Sequence, residues 1–311
     1  MEPRNISNVS VFLLLGLSDE PEMEYPLFGM FLFMYLVTVL GNLFIILAIS
    51  CDSNLHTPMY FFLCNLSIAD VAFTSTITPK MLNDIHTHSK AISYVNCLTQ
   101  LSLFNLFGCM DSLLLTMMAY DRYVAICHPL HYPTIMNPFF CGLLVLIAFF
   151  SSLLESQLQC LMVSQLTFCM EVEIPSFFCD PPLLLNLACS VTSTSVILVY
   201  IIGFIFGGVP VSLIVLSYVR IVSSVLKVSS SGGKYKAFST CGSHLSVVCL
   251  FYGTGVGVYL SSVLSPSLRT GAVASVMYTV VTPMLNPFIY SLRNRDIKRA
   301  LQSLFTRKIY L

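Results

Sequence analysis

Apolar residues along this chain come in runs much longer than a soluble helix needs, separated by short polar stretches. A bilayer-crossing helix takes about 20 mostly apolar residues. Seven runs meet that length, at 26–49, 58–80, 97–124, 141–163, 195–225, 238–261 and 271–292. The pattern predicts an all-α membrane protein, a seven-transmembrane helix bundle at 26–292. It is preceded by a short segment at 1–25 and followed by a tail at 293–311. VFLLLGL at 11–17 is apolar but too short to span, and lacks the small-residue site of a cleaved signal peptide.

Composition agrees with the pattern. The chain is 56% hydrophobic and 10% charged, against about 25% charged for a soluble domain, and its mean hydropathy is +0.82. Net charge is zero, 15 basic residues against 15 acidic, and nothing in the sequence suggests a nucleic-acid partner.

Seven spans put the termini on opposite faces, and Lys and Arg choose the orientation. With the N-terminus outside, eleven cations lie inside: Arg122, Arg220, Lys227, Lys234, Lys236, Arg293, Arg295, Lys298, Arg299, Arg307 and Lys308. Four lie outside: Arg4, Lys80, Lys90 and Arg269. The expectation is therefore N-terminus outside and C-terminus cytosolic. Asn5-Ile6-Ser7 and Asn8-Val9-Ser10 are glycosylation sequons on the outer side, so Asn5 and Asn8 are candidate glycan sites. Of 12 cysteines, Cys97, Cys169, Cys179 and Cys189 fall outside, an even number in an oxidising space. They allow three pairings, and spacing does not choose. The rest read as small buried apolar residues.

Charges within a span are costly and mark function by default. Asp70 lies in the second run and Asp111 in the third; Asp121 and Arg122 end the third. Glu155 lies toward the outer end of the fourth, where solvation is the simple expectation. Two carboxyls at similar depth repel unless a proton or a cation sits between them. Either a monovalent cation, with Asn42 and Asn286 nearby, or a protonated hydrogen-bonded pair satisfies this. Asp121 can pair with Arg122, and breaking that pair would free a permanently charged guanidinium, a two-state element at the membrane edge. A snorkelling arginine is the simpler physical reading.

Pro210 and Pro287 permit kinks in the fifth and seventh runs, and Asn286-Pro287 places an amide beside one. Gly253, Gly255 and Gly257 have no strand before them and form no dinucleotide loop. VSSSGGK at 228–234 lacks the first Gly and the final Ser or Thr of a phosphate loop. No HExxH or GxSxG occurs, and Ser243 and His244, being adjacent, diverge on a helix. The sequence gives no support for an enzyme. No internal repeat supports a transporter.

DRY at 121–123 and NPFIY at 286–290, in a seven-helix frame, resemble the rhodopsin-like G-protein-coupled receptors. LHTPMYFFLCNLSIAD (55–70), MAYDRYVAICHPLHY (118–132), KAFSTCGSHL (236–245) and PMLNPFIYSLRN (283–294) narrow the resemblance to the tetrapod-type olfactory receptors. It runs over essentially the whole chain. It implies that Asp121, Arg122 and Tyr123 form an activation switch, a reading it favours over the snorkelling one. Tyr218, Lys236, His244, Asn286, Pro287 and Tyr290 would be its partners. It implies disulfides Cys97–Cys179 and Cys169–Cys189. Sodium between Asp70 and Asp111 is the candidate for the monovalent cation, one of the two readings of that pair, and no other cofactor is expected.

The resemblance also implies an outer ligand pocket. Phe104, Asn105, Gly108 and Cys109 would come from the third helix and Ile202 and Phe206 from the fifth. Tyr252, Val256 and Tyr259 would come from the sixth, and Thr279 from the seventh. The set is mostly apolar and uncharged, which suits small lipophilic molecules and argues against an amine or acid anchor. The implied partners are a small odorant, a stimulatory heterotrimeric G protein acting through cyclic AMP, and lipid under a short basic helix in the tail. The implied location is the plasma membrane of olfactory cilia. A chemoreceptor for a metabolite in another tissue would have the same sequence features. The chain departs from the family pattern at Phe149, where Trp is usual, and at Ser176 and Val191, where His and Asp are usual. It has no Trp at all. Tyr252 is the residue olfactory receptors carry at its position. The departures leave the switch motifs untouched.

Overall fold

The computed structural model describes residues 10–17, 21–169, 172–227, 231–264 and 268–307. The sequons at Asn5 and Asn8 lie outside them. The helices are α1 (Pro21–Cys51), α2 (Pro58–Thr87), α3 (Tyr94–Cys127) and α4 (Pro138–Ser164). They continue with α5 (Ser193–Leu226), α6 (Ser231–Leu264), α7 (Leu268–Val276, then Thr282–Arg293) and α8 (Arg295–Arg307). Among the described residues, seven helices are long and apolar enough to cross a membrane.

Local chemistry sets the ends. Ser93 Oγ accepts the Asn96 N–H at 3.2 Å and starts α3. Asn137 Oδ1 accepts the Phe140 N–H at 2.9 Å ahead of Pro138, the favoured proline position. α2 runs past the expected stop at Lys80, because Lys80 pairs one turn on with Asp84 and also donates to the Ala91 carbonyl at 3.0 Å. It ends at His88, whose φ of 53° is left-handed.

Two helices widen locally into π turns, α5 at Phe204–Gly208 and α7 at Met277–Val281. Both prolines that permit kinks lie within these two helices. Pro210 follows the first π turn, and Pro287 packs against Gly41 of α1, where an added Cβ would lie 3.0 Å from the proline ring. α8 turns away after Asn294, whose Nδ2 donates to the Tyr60 hydroxyl at 2.9 Å, and it buries Ile297 and Ala300.

One end of the bundle adds structure that helical periodicity did not foresee. The apolar run at 11–17 supplies strand β1 (Val11–Leu14), the middle of a three-stranded sheet. It pairs antiparallel with β2 (Ala91–Ser93) and parallel with β3 (Val172–Ile174). Phe12 and Leu14 point inward, onto a cluster with Leu101, Ile174 and Leu184. Disulfides Cys97–Cys179 and Cys169–Cys189 are formed at this same end.

Candidate functional site

α3 runs through the middle of the bundle, and the residues picked out from the sequence gather along it in three groups. The first surrounds Arg122. Asp121 is buried, and its Oδ1 accepts from the Tyr132 hydroxyl at 2.8 Å. Burial first, and then the Asp121 charge, hold the Tyr132 phenol above its ordinary range, so it stays a donor. Arg122 Nε lies 3.7 Å from Asp121 Oδ2 with no hydrogen bond formed by either atom. Tyr123 turns the other way, its hydroxyl 3.1 Å from His128 Nε2.

His244 of α6 is fully enclosed by α3, α5 and α6. Its Nε2 faces the Leu115 carbonyl at 3.0 Å, and its Nδ1 faces the Tyr218 hydroxyl at 2.7 Å. A carbonyl only accepts, so Nε2 carries the proton; Nδ1 of the neutral ring then accepts from Tyr218. One imidazole thus fastens α6 to both neighbours. Tyr290 is buried with its hydroxyl unpartnered. Lys236 lies in α6, its side chain outside the described residues.

The second group lies at mid-bundle. Asn286 Nδ2 donates to both Asp70 oxygens, at 3.0 and 2.9 Å. Asp111 Oδ1, Asn42 Oδ1 and Asn286 Oδ1 are buried without partners. These are hard oxygen donors of the kind small cations take.

The third group holds the expected pocket residues. Phe104 stacks on Phe73 at 4.9 Å and meets Phe178 at 5.1 Å. Gly108 lies against Phe73, where an added Cβ would come within 3.2 Å of the ring. Ser112 joins α3, α5 and α6. Its hydroxyl donates to the Phe206 carbonyl at 3.1 Å, so at 2.7 Å it must accept from Tyr252. The wider π turn of α5 presents that carbonyl to α3.

Ile202 and Cys109 are buried. Thr279 is too, but its hydroxyl bonds locally to the Ser275 carbonyl. Val256 is 54% exposed and faces away from the interior; the Tyr259 side chain is outside the described residues. A cavity of about 120 Å³ at this end lies elsewhere, between β1, α1, α2 and Phe177. None of the expected pocket residues lines it.

One expectation is overturned. Glu155 is only 4% exposed, not solvated. It faces α3 because α4 packs its polar stripe (Ser152, Glu155, Ser156 and Gln159) inward and its apolar face outward. The sequence reading also passed over Ser112, Gln100 and Gln159. Gln100 Nε2 donates to the Thr76 carbonyl at 3.2 Å and its Oε1 accepts the Cys179 N–H at 3.0 Å, tying the disulfide to α2. The departures at Phe149 and Val191 are on exposed surface. Ser176 is buried, its backbone N–H donating to the Ile174 carbonyl at 2.7 Å.

A family model described as "Olfactory receptor" matches residues 31–308. The chain is 65% identical to olfactory receptor 7E178 of Mus musculus, over 99% of this chain and 93% of that one. It is 64% identical to olfactory receptor 7E24 of Homo sapiens, over 99% and 91%. With human olfactory receptor 7D4 the identity is 59%, over 99% and 98%. The fold is that of squid rhodopsin, with a TM-score of 0.74 at 17% identity, covering 92% of this chain and 81% of that one. The chain belongs to the olfactory receptor family of G-protein-coupled receptors, multi-pass membrane proteins that signal and are not enzymes.

Proposed function

We propose that this chain is an odorant receptor that binds small lipophilic molecules between its helices and activates a stimulatory heterotrimeric G protein, raising cyclic AMP. The observation that carries the reading is the family match over residues 31–308. On this reading its N-terminus lies outside and α8 rests on the cytosolic leaflet, which the distribution of Lys and Arg supports, and the receptor works in the membrane of olfactory cilia. Ligand in the half of the bundle near Phe104 and Tyr252 favours a state in which α6 leaves α3 and α5. That separation breaks the His244 contacts and opens a crevice in which Arg122 meets the G protein. Asp70, Asp111 and Asn286 would hold a sodium ion, which supplies positive charge between the two carboxyls. Sodium-dependent thermal stabilisation of the purified receptor, absent in Asp111→Asn, checks that assignment.

The central experiment is cyclic-AMP output from cells expressing the chain, challenged with a broad odorant panel beside Arg122→Ala. A ligand-dependent rise in the parent, lost in the mutant at equal surface display, is the expected result. A normal response from the mutant rules out the switch role of Arg122.

A further inference from the structure

Between α3 and α4 runs a seam of polar side chains that the uncharged pocket set does not include. Ser156 Oγ donates to the Ser102 carbonyl at 2.6 Å. Asn105 Nδ2 donates to Gln159 Oε1 at 3.2 Å, and Gln159 Nε2 donates to Glu155 Oε1. Asn105, chosen from the sequence as a pocket residue, is thus connected through Gln159 to a buried carboxyl. Each link is satisfied up to Glu155, and there the chain of bonds stops. Glu155 Oε2, on a residue 4% exposed, has no partner, and Ser152 Oγ, on a residue 0% exposed, has only the Cys109 thiol beside it. Both residues lie beside the Cys109 thiol, which also feels the Asp111 carboxyl.

Unpaired buried acceptors cost about 1–3 kcal/mol each, and in a bilayer no solvent reaches them. Glu155 Oε2 as a carboxylate oxygen and Ser152 Oγ can both accept, so a group that donates to each would satisfy the spot. Two carboxyls, Glu155 and Asp111, act on the Cys109 thiol at this spot. The spot therefore repels a carboxylic acid and suits a group with several N–H bonds. An alcohol, with one O–H, satisfies one of the two acceptors; an amine satisfies both. The apolar and aromatic residues around Phe104 would take the rest of a lipophilic molecule.

We propose that Glu155 and Ser152, beside Cys109, anchor the amino group of a lipophilic amine, and that this α3–α4 subsite sets the receptor's ligand class. The proposal rests on the odorant-receptor reading. It revises the expectation, drawn from an uncharged pocket, that amines are disfavoured. Glu155→Gln keeps an oxygen for Gln159 but replaces the free acceptor with an NH₂ donor, which opposes an amine and is neutral toward an alcohol.

The test measures melting temperature and binding of the purified full chain in lipid nanodiscs. The probes are hexylamine and cyclohexylmethylamine, each against the alcohol of the same skeleton. The parent should bind each amine more tightly than its alcohol, and Glu155→Gln should lose about tenfold in amine affinity while alcohol affinity holds. Ser152→Ala, which changes little volume, should weaken the amines in the same direction and serves if the first variant folds poorly. Equal affinity for amine and alcohol in the parent, no amine binding, or an amine preference that survives in both variants overturns the proposal. Binding is read without a G protein, so the two readings fail separately. Amine-selective binding with no cyclic-AMP response counts against the coupling. A cyclic-AMP response to other odorants with no amine preference counts against the subsite alone.

Discussion

The disulfide end and the Arg122 end of the bundle are both fastened through α3, with different chemistry. At the disulfide end, Cys97–Cys179 ties α3 covalently to the segment between α4 and α5, and Gln100 binds the Cys179 backbone and α2. The strand β1 closes over the top through backbone hydrogen bonds to β2 and β3. At the Arg122 end, α6 is held to α3 and α5 through one imidazole with two hydrogen bonds, and the Asp121–Arg122 pair is a loose 3.7 Å contact. At the first end, α3 cannot part from the segment between α4 and α5 without breaking a covalent bond. The second can exchange its few polar contacts for a partner's at a cost of a few kcal/mol, the scale on which ligands shift populations. Rigidity on one side lets a small displacement within the bundle be expressed on the other.

The most severe way to break this contrast is at the disulfide. Cys97→Ser removes the covalent tie and leaves Cys179 as a lone buried thiol. Loss of a native disulfide from a small secreted domain costs about 2–5 kcal/mol, enough here to block delivery. Surface display of an N-terminally tagged receptor should fall nearly to background, read by flow cytometry on intact cells. Parental display would show that Gln100 and the sheet hold the end without the bond.

The opposite end should respond in function rather than in folding. His244→Phe keeps a ring of similar size but removes both hydrogen bonds, each worth about 1 kcal/mol net. Together that is about 2 kcal/mol, so the equilibrium should move toward the α6-out state by up to about thirtyfold. Ligand-free cyclic AMP should therefore rise while surface display stays close to the parent's. Unchanged basal output would mean that His244 does not hold α6 in place.

The two ends also differ in how far the sequence revealed them. Seven spans were legible because lipid forces about 20 apolar residues per crossing. The Arg122 group was legible because its motifs are contiguous in the chain. Helix ends were less so: α2 passes Lys80 because Asp84 four residues on neutralises it, a pair that a hydropathy count sees as a break. The sheet escaped notice because its strands have three or four residues each, and their partners lie about 80 and 160 positions away from β1. Glu155 was misplaced for a similar reason, its environment being set by α3. Yet Ser152, Glu155, Ser156 and Gln159 recur at the 3–4-residue spacing of one helix face, which marks a buried polar stripe in a helix otherwise made for lipid.

The smallest effect expected sharpens the account of the disulfide end itself. Asp180, next to Cys179, is buried, and that burial raises its carboxyl from 3.8 to about 7. The folded protein therefore keeps a proton that the unfolded chain releases near pH 4. Between those two values the folded state binds more protons than the unfolded state, so stability falls as pH rises, and it levels off above about 7. The side chain belongs to the rigid cap, so the loss should appear as a modest drop in melting temperature between pH 5 and 7, with little change in ligand-free signalling. Asp180→Asn keeps the shape and removes the titration. Melting curves of the purified receptor should then lose that slope, and the variant should match the parent most closely at the acid end. A slope that persists in Asp180→Asn would assign the pH dependence to another group and leave the cap's contribution constant with pH.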